Sequence, residues 1–207
     1  PLLADEKGVI ALDARIRIDP AEVEKPGPNP RLAIRPYPAQ WATQAATRAG
    51  MTVLIRPVLP EDEHLYGAFF SALSAEDIRF RFLAPKKEFS HAFIARFTQI
   101  DYNRAMAFVA LDPEERELLG VARLSANPDY ESAEYAIVVR SDLKGQGLGW
   151  ALMSHLIDYA RSEGLEEIYG DVLRANTGML SMCRELGFRI RPSEDDPAVS
   201  HVTLDLR

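Results

Sequence analysis

The chain has a single cysteine, Cys183, so it can form no internal disulfide, and a reducing, cytoplasmic setting fits that composition. Long apolar runs are also missing. The longest, Ala105 to Leu111, is about seven residues, against the roughly 20 that a membrane-spanning helix requires, so no membrane partner is expected. No basic stretch leads into an apolar one near Pro1, so no secretory leader is expected in these residues. Basic residues are outnumbered: Lys and Arg total 24, Asp and Glu total 31, and the formal charge is -7. A chain of that sign lacks the cationic footprint of backbone-driven nucleic-acid binding, so neither DNA nor RNA is an expected partner. The histidines at 64, 91, 155 and 201 are scattered, with no His-x-x-x-His or Cys-x-x-Cys spacing, and no metal is expected.

What is present is an ordinary globular mix, 47% hydrophobic and 27% charged over 207 residues, enough for one large domain or one domain with an appendage. Residues 9 to 18 end in an apolar and charged alternation that predicts a strand, with no evident partner. Prolines at 20, 26, 28, 30, 36 and 38 predict an extended linker, and a boundary falls near residue 50. Ala39 to Ala49 reads as a short helix stopped by Gly50.

From Thr52 the pattern predicts a strand to Arg56, a helix from Pro60 to about Leu73, a second opened by the Ser74 to Asp77 capping pattern, and a third over Ser90 to Gln99. Strands follow at Ala105 to Leu111, Leu118 to Ser125 and Ala133 to Val139, suited to an antiparallel meander. A stripe at Leu148, Ala151, Leu152, Leu156, Tyr159 and Ala160 marks the strongest helix. Ile168 to Leu173, Thr177 to Leu186, Phe188 to Ile190 and Val202 to Leu206 then read as strand, helix, strand and strand.

The segment that carries chemistry joins the third meander strand to the strong helix: Lys144-Gly145-Gln146-Gly147-Leu148-Gly149-Trp150. Glycines at 145, 147 and 149 clear side chains from a bend that leads into a helix N-terminus, where free amides bind phosphate oxygens. A tight turn without a ligand is the alternative reading. Spacing rules out two nucleotide loops. No Gly-x-x-x-x-Gly-Lys-Ser/Thr occurs, and a Gly-x-Gly-x-x-Gly begun at Gly145 or Gly147 meets Trp150 or Leu152 at its third glycine.

The segment resembles the pyrophosphate loop of the GNAT superfamily of N-acetyltransferases, Gln/Arg-x-x-Gly-x-Gly/Ala, with Lys144 in place of the first Gln or Arg. The element order from Thr52 to Leu206 is similar to that fold. The resemblance implies an α/β GNAT fold, a mixed central sheet of about six to seven strands flanked by helices, with an extended N-terminal segment. It also implies acetyl-CoA as cosubstrate. Its loop contacts would be Lys144, Gly145, Gln146, Gly147, Leu148, Gly149 and Trp150, with main-chain pairing along Ile137, Val138 and Val139 and a further contact at Asn176. Ile78-Arg79-Phe80-Arg81-Phe82 and Thr98-Gln99-Ile100-Asp101-Tyr102 resemble bacterial protein-lysine acetyltransferases fused to an NDP-forming acyl-CoA synthetase-like domain. Upstream, Gly8 to Ile18 and Leu32 to Pro38 resemble the end of such a synthetase-like domain, which makes residues 1–50 that end plus a linker and residues 51–207 the acetyltransferase.

A lysine ammonium, with its ordinary pKa near 10.4, needs a base before it can attack a thioester. The resemblance assigns that role to Glu134, with Glu131 as the rival and an exposed surface glutamate as the plain alternative. Cys183 stands where many relatives carry a tyrosine acid, and reads as core. Arg79, Arg81 and Arg96 either surround the acceptor or line solvated helix faces. Three functions remain open: a protein-lysine acetyltransferase acting on AMP-forming acyl-CoA synthetases, a small-amine acetyltransferase, and a CoA-sensing module without turnover.

Overall fold

The computed structural model describes residues 2–6, 8–11, 35–86 and 88–207. Most of the predicted proline-rich linker lies outside these residues, as do residues 12–18 of the strand expected over 9 to 18. The chain divides into two units, Pro1–Ala33 and Ile34–Arg207. In the first, β1 (Leu2–Asp5) and β2 (Gly8–Ala11) form an antiparallel hairpin, so the predicted strand has a partner that sequence pattern did not supply.

In the second unit the Ala39 to Ala49 helix expected from alanine content is absent. A single turn, Ala39–Trp41, is followed by β3 (Thr43–Ala46), which pairs antiparallel with β4 (Thr52–Pro57) from Thr43 opposite Ile55 to Ala46 opposite Thr52. Tertiary pairing overrides alanine's weak helical preference. Trp41 holds the hairpin down, with its ring 5.3 Å from Tyr159 and 6.3 Å from Phe108 between centroids.

Helices α1 (Glu63–Ser71), α2 (Ala75–Phe82) and α3 (His91–Thr98) come next, then β5 (Ala105–Leu111), β6 (Leu118–Ala126) and β7 (Ser132–Val139). Helix α4 (Leu148–Ser162), β8 (Glu167–Leu173), α5 (Thr177–Glu185), β9 (Arg189–Pro192) and β10 (Val199–Asp205) complete the unit. Two helices start as the sequence predicts: Ser74 Oγ accepts from the Asp77 amide at 3.1 Å, and Ser90 Oγ from that of Phe93 at 3.3 Å.

The strands form one eight-stranded mixed sheet in the order β3-β4-β5-β6-β7-β8-β10-β9, one strand beyond the expected range because β3 adds an edge. Alternation along the strands sends side chains to two cores. On one face Met106, Phe108, Ala133 and Tyr135 pack with Leu152, Leu156 and Leu180 of α4 and α5. On the other, Val109, Val121 and Val138 meet Tyr66, Phe69, Phe70 and Ile94 of α1 and α3. Among the described residues no helix is long and apolar enough to cross a membrane, and no group of three or more His, Cys, Asp or Glu could hold a metal.

Candidate functional site

The sheet opens at its centre. Strand β7 pairs with β6 over its whole useful length, from Ala126 opposite Ala133 to Gly120 opposite Val139. Its parallel pairing with β8 stops after Ser132, Ala133 and Glu134, opposite Glu167, Ile168 and Tyr169. From Tyr135 to Val139 the main chain therefore has no strand on one side, a row of N–H and C=O groups within reach of an extended ligand. The next opposed residues are Tyr135 and Gly170, and a Cβ at Gly170 would stand 2.8 Å from the Tyr135 ring. Only glycine admits that ring.

The gap continues as a cleft of about 750 Å3. Its walls include Glu134, Ile137, Val138, Val139, Lys144, Gly145, Gly147, Gly149, Trp150 and Asn176, so ten residues singled out from sequence come together. Gln146 and Leu148 do not line it. The Gln146 side chain donates to the Asp142 carbonyl at 3.2 Å, and Leu148 is buried in the core, so any contribution from these two to a ligand is by main chain.

Local geometry explains the glycines. Gly145 and Gly147 have φ of 74° and 90°, and a Cβ at Gly147 would lie 2.8 Å from the Arg48 main-chain nitrogen. Gly147 is the N-cap of α4 and offers no side-chain cap. Among the described residues the amides from Gly145 to Trp150 have no hydrogen-bond acceptor. A bend that presents unpaired amides at the positive end of a four-turn helix fits a diphosphate. Asn176 caps α5, its Oδ1 accepting from the Met179 amide at 3.2 Å, and the residue lines the cleft.

Lys144 does not point its charge at this cradle. It forms an ion pair with Asp77, whose side chain is 5% exposed, and Asp77 also accepts from Ser74 Oγ at 2.8 Å and Ser141 Oγ at 2.5 Å. Burial disfavours the charged form of Asp77, yet the bonds from Lys144, Ser141 and Ser74 outweigh it and hold the carboxyl below its ordinary value. An exposed cation at the cleft is Arg48, on the turn between β3 and β4, with its guanidinium 4.6 Å above the Trp150 ring. Sequence reading missed it because the segment read as a helix.

A second cavity of about 310 Å3 lies on the α2 and α3 side, lined by Arg81, Phe82, Phe93, Arg96, Phe97, Arg123, Ser125, Glu134, Tyr135 and Ala136. Arg81, Glu134, Tyr135 and Ala136 line both spaces. Glu134 is exposed, directly opposite Ser125 in the β6 register. Glu131 lines neither cavity, and Arg79 is exposed outside both. Arg123 was overlooked: it shares a strand face with Ser125, and its period-2 spacing was the available signal.

Cys183 is 0% exposed, and its Sγ sits 3.3 Å from the Tyr135 hydroxyl. Burial pushes the thiol up despite that hydrogen bond, which makes it a poor nucleophile at neutral pH. Burial, reinforced by Cys183, raises Tyr135 as well.

Comparison with known proteins gives this geometry a context. The acetyltransferase (GNAT) family profile matches residues 72–188. An acetyltransferase of Pseudomonas aeruginosa is 40% identical over 149 residues, covering 71% of this chain and 80% of that protein. An L-methionine sulfoximine/L-methionine sulfone acetyltransferase of Pseudomonas paraeruginosa is 33% identical over 78 residues, 36% of this chain and 45% of its own. The GNAT domain of S. lividans PAT superposes with a TM-score of 0.76 at 26% identity, covering 82% of this chain and 99% of that one. The chain belongs to the GNAT family of acetyltransferases, enzymes that use acetyl-CoA, and its mixed sheet is the GNAT fold.

Proposed function

We propose that this GNAT acetyltransferase transfers acetyl from acetyl-CoA to the ε-amine of a lysine in a protein, with AMP-forming acyl-CoA synthetases as the acceptor class. The observation that carries the reading is the position of Glu134. It lines both cavities, at the residue where β7 parts from β8. Bound acetyl-CoA would supply an acetyl group activated as a thioester. The amides of Gly145 to Trp150 suit its diphosphate, the free edge at Ile137, Val138 and Val139 suits its amide-containing arm, and Lys144, Asn176 and Arg48 stand beside them.

Glu134 takes the proton from the incoming ammonium, directly or through one water, and its exposure keeps it open to both. Lys144 acts at one remove, by fixing Asp77 and the turn before α4. The likeness of Ile78–Phe82 and Thr98–Tyr102 to protein-lysine acetyltransferases supports a protein acceptor. The likeness of Gly8 to Ile18 and Leu32 to Pro38 makes residues 1–50 the end of a synthetase-like domain with its linker, and a cytoplasmic setting follows from the reading. A second reading, a small amine as acceptor, is favoured by the modest size of the second cavity and by the segment shared with the sulfoximine acetyltransferases.

Radiolabelled acetyl-CoA with an acyl-CoA synthetase or a panel of amines tests these readings. Label is expected on a synthetase lysine, and Glu134→Gln is expected to lower kcat/KM roughly 100- to 1,000-fold at pH 7. The loss should shrink as pH approaches the roughly 10.4 at which the lysine sheds its own proton. Label on amines alone would end the protein-acceptor reading, and an undiminished Glu134→Gln would end the role given to that carboxylate.

A further inference from the structure

Three guanidinium groups face one carboxylate in the smaller cavity. Arg81 comes from α2, Arg96 from α3 and Arg123 from β6, and among the described residues Glu134 is the only acid that lines the same space. Arg81 makes no hydrogen bond or ion pair with any described residue. Its guanidinium lies 5.1 Å from the Phe82 ring centroid and 5.9 Å from that of Phe97. Arg123 donates to the Arg96 carbonyl at 2.9 Å and stands 5.8 Å from Phe97. Neither forms an ion pair with Glu134 among the described residues.

This is an unusual place for two cations. Burial pushes Arg81 down to about 10, with the Arg123 charge acting in the same sense and Glu134 against it. Burial lowers Arg123 too, and Arg96 adds to that. An arginine that only covers a helix face is exposed, as Arg79 is; Arg81 is half-buried and lines both cavities. In a chain of net charge -7, a local excess of positive charge behind aromatic walls is complementary to an anion. The rigid fork of a guanidinium matches a planar carboxylate in particular.

Resting on the acetyl-transfer reading above, we propose that the acceptor is a primary amine with a carboxylate close beside it, and that Arg81 and Arg123 bind this carboxylate while Glu134 faces the amine. Two sources share that chemistry: an acidic side chain next to the target lysine in a protein, or the α-carboxylate of a free amino acid. The same positive potential favours the uncharged form of the amine and so eases its deprotonation. It also disfavours acceptors that carry a second ammonium group.

Equilibrium binding to the whole chain, followed by titration calorimetry, tests the proposal with two matched pairs of probes. One pair is the amide-capped dipeptides acetyl-Asp-Lys and acetyl-Asn-Lys; the other is L-lysine and lysinamide. In at least one pair the carboxylate member is expected to bind roughly tenfold tighter. That preference should vanish in Arg81→Gln and weaken in Arg123→Gln, while the affinity of the neutral member stays the same. Arg81→Lys, which keeps the charge without the fork, should retain part of it.

Preference confined to the dipeptides assigns a protein acid, and preference confined to lysine assigns a free amino acid. Equal affinity within both pairs overturns the proposal, as does a preference that survives both glutamine variants or an absence of binding by any probe up to about 10 mM. Binding is read without turnover. A protein that shows the preference yet transfers no acetyl group therefore refutes the function proposed above and leaves the carboxylate site standing.

Discussion

Replacing Asp77 by asparagine should loosen the coenzyme cradle by releasing Lys144 and Ser141. Asp77 joins α2 to the turn before α4: it accepts from Ser74 Oγ at 2.8 Å, from Ser141 Oγ at 2.5 Å and from Lys144, while the Ser74 amide donates to Ser141 Oγ at 2.8 Å. Asparagine keeps the volume but removes the charge and turns one acceptor into a donor that faces other donors. Hydrogen bonds to a charged group contribute about 1.5–3 kcal/mol. The Lys144 side chain is 46% exposed, so its ion pair adds at most about 1 kcal/mol. A loss of about 2–4 kcal/mol is expected in urea unfolding at pH 7. The acetyl-CoA KM should rise roughly three- to tenfold, with kcat at saturating coenzyme largely kept, because the change acts on binding and not on Glu134. The sign with pH is fixed. The Asp77 pKa is depressed in the folded chain, so its stabilisation is present above its ordinary value near 3.8 and is lost as pH falls through the lower folded value. Wild type and Asp77→Asn should therefore converge in stability in the acid range below 3.8. A gap that stays constant down to that range, or a loss under about 0.5 kcal/mol at pH 7 with KM unchanged, would refute the argument.

Gly147→Ala should raise the acetyl-CoA KM about tenfold or more, because a Cβ at φ 90° is strained by about 1–2 kcal/mol and meets the Arg48 main-chain nitrogen at 2.8 Å; steady-state kinetics at varied coenzyme would read it. Arg48→Ala should raise KM for acetyl-CoA about three- to tenfold and leave that for phosphate-free acetyl-pantetheine alone. Equal effects on both donors would place Arg48 away from the phosphates. Gly170→Ala should cost about 1–3 kcal/mol in urea unfolding and lower kcat as well, since the displaced Tyr135 ring is the next residue to Glu134; full activity in a destabilised variant would separate the two.

Sequence pattern reached the strands of the meander and the long helix almost to the residue, because β5 and β6 are apolar runs buried largely on both faces and the helix buries one continuous stripe. Leu148, Leu152 and Leu156 are all at most 1% exposed, at the spacing that announced the helix. The segment before Thr52 was illegible for the opposite reason. Its alanines favour a helix weakly, whereas the pairing of β3 with β4 and the seat of Trp41 depend on residues far along the chain. Arg48 escaped notice with it. Lys144 shows a different limit: its place in the glycine loop suggested a phosphate contact, and only the fold reveals that buried Asp77 claims it. The departure from β8 was equally hidden, since strand pattern says nothing about where pairing ends.

The two cavities meet at Glu134 because of a register, not because of a cluster in the sequence. Alternation along β7 turns Glu134, Ala136 and Val138 towards the α1 to α3 face and Tyr135, Ile137 and Val139 towards α4 and α5. A ligand that enters along the free edge beside β8 and another that enters beneath α2 and α3 must approach the strand from different sides. They can come together only where the edge begins, and the pairing with β8 ends at Glu134. Moving the register by one residue would put the Tyr135 ring in the acceptor space and turn Glu134 into the core. The Tyr135 ring against Gly170, with its hydroxyl on Cys183, holds the strand against that slip. A buried cysteine in place of a tyrosine is thus a structural partner of Tyr135, and through that contact it helps to fix where the neighbouring carboxylate points.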